Sequence, residues 1–177
     1  MSTSDADLIA RIVTRDDRHA FATLMRRHQS GVRTVLRRLT GGDEALADDL
    51  AQEAFLRAYD NLRDFRAEAK FSTWVYRIAY NVFLSHLRKR TESAGIDDLP
   101  EPAVESSGEA ADRARDLNRA FGQLREEERS ALALTYAEDL THAEAAEILG
   151  WPVGTLKTHV LRGKDKLRSA LKAYAPG

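Results

Sequence analysis

The sequence predicts an all-α protein of two small helical domains joined by a flexible acidic linker, with a helix-turn-helix in the C-terminal domain. Apolar residues recur three and four positions apart through most of the chain, and the alternation typical of β-strands survives nowhere. Residues 91–112 interrupt this pattern with proline, glycine, serine and acidic residues, which favour a linker. A chain of 177 residues is long enough for two small helical domains.

The first predicted domain, residues 1–90, contains a series of amphipathic helices. Gly41-Gly42 is expected to end one of them, because paired glycines interrupt helices. Asp43 and Glu44 follow at once and favour a new helix, since negative charge stabilises a helix N-terminus. A short polar loop, Arg66–Lys70, precedes the last long helix. The helical stripes begin near Leu8, Phe21, Asp43 and Phe71, and the last one continues to Arg90.

Aromatic residues are concentrated around that last helix, where six of the chain's 13 lie between residues 65 and 83. Basic residues lie among them, and three more follow at positions 88–90. Aromatic rings flanked by cations suit the stacking of unpaired bases. Aromatic residues at helical spacing are equally typical of a hydrophobic core, and we expect Phe71, Trp74 and Ile78 to be mostly core. The six aromatic residues are Phe65, Phe71, Trp74, Tyr76, Tyr80 and Phe83.

The formal net charge of −1 conceals a segregation of charge along the chain. Residues 1–90 carry 16 basic and 12 acidic side chains, a balance of +4. Residues 91–112 carry seven acidic side chains and no basic one, and residues 113–177 carry 11 basic and nine acidic ones, a balance of +2. Two mildly basic domains therefore flank an acidic spacer, which is compatible with nucleic-acid binding.

The second predicted domain, residues 113–177, ends in a helix-turn-helix. Thr141-His142-Ala143-Glu144 is a capping box, Gly150 suits a left-handed helix end, and Pro152 suits the first turn of a second helix. A second helix rich in cations and hydroxyls is typical of DNA major-groove recognition, which we favour over an ordinary basic helical hairpin. Its expected inward residues are Val153, Leu156, Val160 and Leu167. Its expected outward residues are Thr155, Lys157, Thr158, His159, Arg162, Lys164 and Lys166. A preceding helix is predicted through Leu132, Leu134, Tyr136 and Leu140.

Several classes of protein are disfavoured. The chain has no cysteine, which excludes disulfides and thiolate metal sites. Its five histidines are scattered, and neither a metal-ligand spacing nor a phosphate loop nor a nucleophile elbow is present. We therefore expect no enzymatic activity, metal or cofactor. A polar, acidic start and the lack of a long apolar run predict a soluble, cytoplasmic protein without membrane insertion.

Three segments resemble, in order, the conserved parts of the extracytoplasmic-function (ECF) sigma factors, the compact alternative sigma factors of bacterial RNA polymerase. Residues 71–90, FSTWVYRIAYNVFLSHLRKR, are similar to region 2, and residues 48–59, DDLAQEAFLRAY, are similar to its polymerase-binding helix. Residues 140–149, LTHAEAAEIL, and 152–158, PVGTLKT, are similar to region 4. The resemblance covers nearly the whole chain.

The resemblance implies that this chain binds core RNA polymerase, at the clamp helices of the largest subunit and at the flap, and directs it to promoters. The residues implied in polymerase binding are Asp48, Asp49, Gln52, Glu53 and Arg57; by themselves they also suit a solvated helix face. The residues implied at the −10 element, where a base is flipped from the melted strand, are Arg66, Ala67, Glu68, Ala69, Lys70, Arg77, Tyr80, Asn81 and Arg88. The residues implied at the duplex −35 element are Thr155, Lys157, Thr158, His159, Leu161, Arg162 and Lys164.

The resemblance further implies an anti-sigma partner, and a linker that either threads into the polymerase or serves as a solvated spacer. The recognition helix departs from the family pattern at His159, Leu161, Gly163 and Lys164, where arginine, a larger residue, alanine and arginine are common. Gly163 should cost about 1 kcal/mol of helix propensity. The main alternative is a free-standing helix-turn-helix repressor or activator, which would bind DNA without polymerase.

Overall fold

The computed structural model describes residues 3–93 and 108–174, and in those ranges the chain is helical without a β-strand. A 3₁₀ turn, Leu62–Asp64, follows the third α-helix. The α-helices are α1 (Asp5–Arg15), α2 (Arg18–Leu39), α3 (Glu44–Asn61), α4 (Phe71–Ser93), α5 (Glu109–Gly122), α6 (Glu126–Thr135), α7 (His142–Leu149) and α8 (Val153–Tyr174). No described helix is long and apolar enough to cross a membrane.

The helix boundaries in the first half follow from local chemistry. Gly41 and Gly42 have φ angles of 66° and 96°, values that favour glycine. They lie just after the end of α2 and prevent the helix from continuing. The Asp43 side chain then caps α3 by accepting a hydrogen bond from the Leu46 N–H at 2.9 Å. Both of these predictions from the sequence are confirmed. In α1, the Asp5 Oδ2 lies 2.7 Å from the His28 Nε2 of α2. This contact connects α1 to α2.

Two boundaries differ from the predictions. Helix α4 continues to Ser93 and α5 begins at Glu109, so both ends of the predicted 91–112 linker are helical. Residues 94–107 lie outside the described ranges. In the second half, Tyr136 and Leu140 follow the end of α6 rather than belonging to it. Helix α6 is short because a turn containing Asp139, at a φ of 63°, comes directly before the capping box of α7.

The two halves pack against each other. Helix α2 lies against α5 and α6, and α4 lies against α7. The buried apolar residues of both halves form one contiguous cluster, which extends from Leu8 of α1 to Val160 of α8. The buried core thus places the N-terminal end of the helix-turn-helix beside α4.

Close packing between α6 and α8 explains the glycine that departs from the family pattern. A Cβ atom added to Gly163 would lie 2.6 Å from Leu132 Cδ1 and 3.2 Å from Leu132 Cγ. Leu132 is fully buried, so it has little freedom to move aside. The gain in helix propensity from alanine would therefore be opposed by overpacking.

We expect Gly163→Ala to lower the free energy of unfolding by about 1–2 kcal/mol, because overpacking of about 1–3 kcal/mol exceeds the gain in helix propensity. Urea unfolding followed by circular dichroism measures the change. Gly154→Ala is the matched control on the same helix: a Cβ there meets nothing within 4 Å, so a gain of about 0.5–1 kcal/mol is expected. Equal stabilisation by both substitutions would contradict this account.

Candidate nucleic-acid interface and protein-binding groove

The helix-turn-helix has the local geometry that the sequence predicts. The Thr141 side chain accepts from the Glu144 N–H at 3.2 Å, and Glu144 accepts from the Thr141 N–H at 2.7 Å. Gly150 ends α7 with φ 70° and ψ 30°, the left-handed conformation that avoids a Cβ clash. The Pro152 carbonyl accepts from the Leu156 N–H at 3.1 Å and begins the first turn of α8. Thus α8 is held at a defined angle after α7.

The outward face of α8 carries most of the predicted duplex-binding side chains. Leu156 and Val160 are buried and anchor the helix, whereas Val153, which was predicted to point inward, is 39 % exposed. Leu161 is 63 % exposed, an unusual place for a large apolar side chain. The exposed members of the predicted set are Thr155, Lys157, Thr158, Leu161, Arg162 and Lys164.

Three side chains on α8 have protein partners. His159 is half-buried, with its ring centroid 5.1 Å from that of Trp151 in the turn. Lys164 lies over the Tyr136 ring at 5.3 Å. Lys166 is exposed, as the sequence predicts, and its Nζ donates to both carboxylate oxygens of Glu128 at 2.8 Å. Burial alone would raise the pKa of Glu128, but Lys166 and the Arg125 N–H outweigh it and lower that pKa.

The loop before α4 is exposed, and packed aromatic rings lie at both of its ends. All five of its residues, 66–70, are exposed. The rings of Phe65, Phe71 and Trp74, which flank the loop, pack together with centroids 5.2–6.0 Å apart. Since Phe65 precedes the loop and Phe71 follows it, this contact fixes both ends of the loop. The aromatic residues of this part of the chain therefore mostly serve the core, as four of the six are buried.

The predicted −10 residues on α4 divide into two groups. Asn81 and Arg88 are exposed and line a shallow cavity of about 630 Å³ on the second half of the helix. Arg77 is partly buried and pairs with Glu147 of α7 at 2.9 Å. Tyr80 is only 7 % exposed, and its side chain is hydrogen-bonded to Ser130 of α6. Tyr80 therefore packs against α6 in this structure, and its role at the −10 element stays a prediction.

A groove between α2 and α3 collects part of the predicted polymerase-binding set. It has a volume of about 630 Å³, and Asp48, Asp49 and Gln52 form part of its wall. Leu56, 62 % exposed, also lines it. Glu53 and Arg57 are not among the lining residues and form an ion pair with each other. Sequence patterns did not identify the large apolar lining residues Phe21, Met25, Phe55 and Tyr59 as parts of a groove.

The groove combines an apolar floor with a polar rim. Phe21 and Tyr59 pack edge to face with centroids 4.8 Å apart, and the Tyr59 hydroxyl donates to Asp16 at 2.6 Å. Arg33 lies 3.4 Å from Asp48, so charged side chains border an apolar floor. An apolar centre with a polar rim is the arrangement found in protein–protein interfaces. Among the described residues, no group of three or more potential metal ligands is present.

Comparison with known proteins assigns the family. The profile of sigma-70 region 2 matches residues 24–92, and that of sigma-70 region 4 matches residues 114–167. The chain is 34% identical to the ECF RNA polymerase sigma factor SigW of Bacillus subtilis, over 90% of this chain and 93% of that protein. It is 31% identical to the ECF RNA polymerase sigma-E factor of Escherichia coli K12, over 93% and 92%.

Solved structures agree with this assignment. The sigma factor RpoE of Bartonella quintana, in complex with the anti-sigma factor NepR, matches with a TM-score of 0.70 and 26% identity, over 86% of this chain and 96% of that one. CnrH, in complex with the cytosolic domain of CnrY, matches with a TM-score of 0.69 and 26% identity, over 97% and 99%. The helical fold, the two family regions in order and the full-length relatives together show that this chain belongs to the ECF sigma factors.

Proposed function

We propose that this chain binds core RNA polymerase, recognises the −35 and −10 elements of a promoter and promotes strand opening. The observation that carries the proposal is the capped helix-turn-helix, whose second helix presents hydroxyls, cations and an exposed leucine on one face. Residues 1–90 would serve the −10 element and the polymerase, residues 91–112 the connection between the halves, and residues 113–177 the −35 element. The chain would act in the cytoplasm by binding alone, without catalysis or a cofactor.

At the −35 element, α8 would enter the major groove while α7 crosses the backbone. Lys157 and Arg162 are exposed and can meet phosphates or the O6 and N7 atoms of guanine. Exposed Leu161 offers an apolar contact to a thymine methyl group. His159 would be oriented by Trp151, whose ring limits the positions that the imidazole can adopt.

At the −10 element, the Arg66–Lys70 loop and α4 would hold a flipped base and the adjoining strand. Flipping costs a few kcal/mol, and a loop fixed at both ends by packed rings can favour one base without further loss of order. Exposed Asn81 offers both donor and acceptor atoms to a base edge, and exposed Arg88 can neutralise a phosphate.

The groove between α2 and α3 would receive the clamp helices of the polymerase's largest subunit. Its apolar floor gives a helix a place to bury apolar side chains, and the acidic and amide groups of Asp48, Asp49 and Gln52 can fix its register. The flap would be contacted through the second half. An anti-sigma factor is a further expected partner, since the relative from Bartonella quintana was solved with one.

A transcription experiment tests the proposal as a whole. The protein is mixed with bacterial core polymerase and a library of random promoters, and transcripts are sequenced. We expect start sites downstream of a shared two-part motif, and none from core enzyme alone. Failure to bind core enzyme, together with tight binding of the protein alone to duplex DNA at physiological salt, would instead support a free-standing repressor or activator.

We expect Arg162→Ala and Lys157→Ala each to weaken binding of the −35 duplex and to reduce its dependence on salt. Each phosphate contact that is lost should lower the slope of log affinity against log salt by about 1. Holoenzyme binding to the duplex at several salt concentrations measures both quantities. Lys172→Ala, which removes an exposed cation near the end of the same helix, is the control and should leave the slope unchanged.

A further inference from the structure

We propose that a cavity between the end of α2, α4 and the α5–α6 turn, here called the anion cavity, binds a small molecule that carries a diphosphate group. The cavity has a volume of about 340 Å³. His86 and Arg90 of α4 line it together with Arg119 of α5 and Arg129 of α6. The proposal goes beyond the function proposed above and does not depend on it.

The walls of the anion cavity carry an excess of positive charge. Three of the described lining residues are arginines, whereas only Asp43 among them is acidic, which leaves a balance of +2 with His86 neutral. The Asp43 carboxylate already accepts the Leu46 N–H at 2.9 Å as the cap of α3. Charges of one sign around a concave site concentrate their field there and attract ions of the opposite sign. The cavity is therefore suited to an anion.

Arg129 places a partly buried charge in the cavity wall. Its Nε donates to the Phe121 carbonyl, and its Nη2 donates to the carbonyls of Gly122 and Leu124, all at 3.0 Å. These carbonyls are neutral, so they hold the guanidinium in place without neutralising it. Burial lowers the pKa of Arg129, and the charge of Glu126 offsets this only in part. A bound anion would supply the missing counter-charge.

Arg90 and Arg119 have donors to spare. Arg90 is half-buried, and it has neither a hydrogen-bond nor an ion-pair partner among the residues that the structure describes. Arg119 has only a loose ion pair with Asp116, at 3.9 Å, which is too long for a hydrogen bond. Each guanidinium presents a fork of N–H groups that matches two oxygens of one phosphate. Two such forks, from two different helices, suit two linked phosphates.

The cavity is formed before any ligand binds. A Cβ atom added to Gly41 would lie 3.3 Å from the Gly122 Cα, so the turn after α2 lies directly against the end of α5. The Arg129 Nη1 also donates to the Leu39 carbonyl at the end of α2, at 3.4 Å. These contacts fix the walls relative to each other. Binding would thus require little ordering of the protein, which favours affinity.

The size and the floor of the cavity limit the class of ligand. A volume of about 340 Å³ is near the lower end of small-molecule sites, so a diphosphate group fits with at most a small part of an attached molecule. Leu46, Phe83 and Leu87 add apolar surface, which lowers the local dielectric constant and strengthens attraction between charges.

The anion cavity is separate from the surfaces assigned to DNA and polymerase. None of the residues predicted at the −10 element, the −35 element or the polymerase is among its described lining residues. Asn81 and Arg88, the exposed −10 residues of α4, line a different cavity. A phosphate of a DNA strand is therefore the less favoured ligand, and the experiment includes it as an alternative.

Isothermal titration calorimetry of the full chain measures binding, with inorganic diphosphate as the probe and without divalent cations. We expect saturable binding of one diphosphate, and at least ten-fold weaker binding of orthophosphate, which can engage only one arginine fork. ADP in a further titration distinguishes the sources of the group. Equal affinity for ADP and diphosphate would indicate a nucleotide ligand, whereas binding of diphosphate alone would indicate the free inorganic ion.

Arg90→Gln and Arg119→Gln should each weaken diphosphate binding about 10–100-fold, because each removes charge-assisted hydrogen bonds. Lys89→Gln on α4 and Arg113→Gln on α5 are the matched controls. Each removes one exposed cation that does not line the cavity, and each should change the affinity less than about two-fold. Arg119 is exposed, so its variant remains informative if Arg90→Gln disturbs folding, which circular dichroism reports.

Thermal unfolding provides a second readout. At a diphosphate concentration of about 100 times the Kd, the melting temperature of the parent protein should rise by about 5–10 °C. The rise should be much smaller in Arg119→Gln at the same concentration and unchanged in Arg113→Gln.

Four results would overturn the proposal. They are the absence of diphosphate binding, equal affinities for diphosphate and orthophosphate, equal losses in the cavity variants and the controls, or binding of a single-stranded oligonucleotide through Arg90 and Arg119 when diphosphate does not bind. The second would indicate an adventitious ion only, and the last would assign the cavity to a nucleic-acid strand. The measurements use the protein without polymerase, so their outcome is independent of the transcription experiment.

Discussion

Lys166→Met is expected to lower the free energy of unfolding by about 2 kcal/mol, because Glu128 is buried while the Lys166 side chain, 47 % exposed, is partly screened by solvent. Glu128 is 3 % exposed, and Lys166 is the only cation within ion-pair distance of it among the described residues. Methionine fills a similar volume but leaves the buried carboxylate without its ion-pair partner. Removing one member of such a pair is costly because the other charge remains desolvated.

The effect should depend on pH in a defined direction. In the parent protein the pKa of Glu128 is lowered below its ordinary value of 4.5, so its contribution to stability is complete above about pH 4.5 and is lost as the pH falls through the lowered pKa. In Lys166→Met, burial raises the pKa of Glu128, and the N–H and the charge of Arg125 oppose it without Lys166. The difference in stability between the two proteins should therefore be full at pH 7 and should shrink in acid.

Urea unfolding at several pH values measures this difference. Lys172→Met, at an exposed position of the same helix, is the matched control and should stay within about 0.5 kcal/mol of the parent. Adding Glu128→Gln to Lys166→Met should recover part of the loss, because the buried charge is then absent. A loss that is the same at pH 4 and pH 7 would contradict the role assigned to the pair.

Features that depend on neighbouring residues in the chain could be predicted from the sequence. The capping box at Thr141, the left-handed turn at Gly150 and the cap at Asp43 each involve groups within four positions of one another. Their geometry follows from local backbone sterics and hydrogen bonding and does not depend on distant parts of the chain. The helical stripes were likewise predictable, since the 3.6-residue period decides which side chains share a face.

Features that depend on distant parts of the chain could not be predicted in the same way. Lys166 has the spacing of an outward-facing cation, and only the position of Glu128, 38 residues earlier, shows that it is a structural side chain. From the sequence alone, Gly163 only lowers helix propensity. The structure shows that Leu132 leaves no room for a Cβ atom at this position. The family resemblance implied a DNA-facing Tyr80, and nothing in the local sequence reveals that Ser130 of α6 lies against it.

The sequence gives only a partial indication of the groove between α2 and α3. On α3, Phe55 is buried, whereas the next residue, Leu56, is 62 % exposed, where a large apolar side chain is unexpected. An apolar residue out of phase with its helix is a usable indication of a binding surface. The contribution of Phe21 and Met25 was hidden, because it depends on how α2 crosses α3.

Exposed Leu56 provides the second large expected effect. Leu56→Asp should weaken binding of core polymerase about 100-fold, equivalent to about 2.7 kcal/mol, because it places a charge where an apolar contact is desolvated. Leu56 is already 62 % exposed, so the fold should lose no more than about 0.7 kcal/mol, the difference in helix propensity. Fluorescence anisotropy of labelled protein titrated with core enzyme measures the affinity.

Leu161→Asp is the control, because it makes the same chemical change at a helix position that is 63 % exposed. It should leave core binding unchanged and weaken binding of the holoenzyme to the −35 duplex, since a carboxylate would face DNA phosphates. Loss of core binding in both variants would indicate general damage, and loss in neither would remove the groove from the proposed mechanism. Opposite responses of the two equally exposed leucines would distinguish a polymerase-binding face on α3 from a DNA-binding face on α8. A sigma factor requires both faces, whereas a free-standing repressor requires only the second.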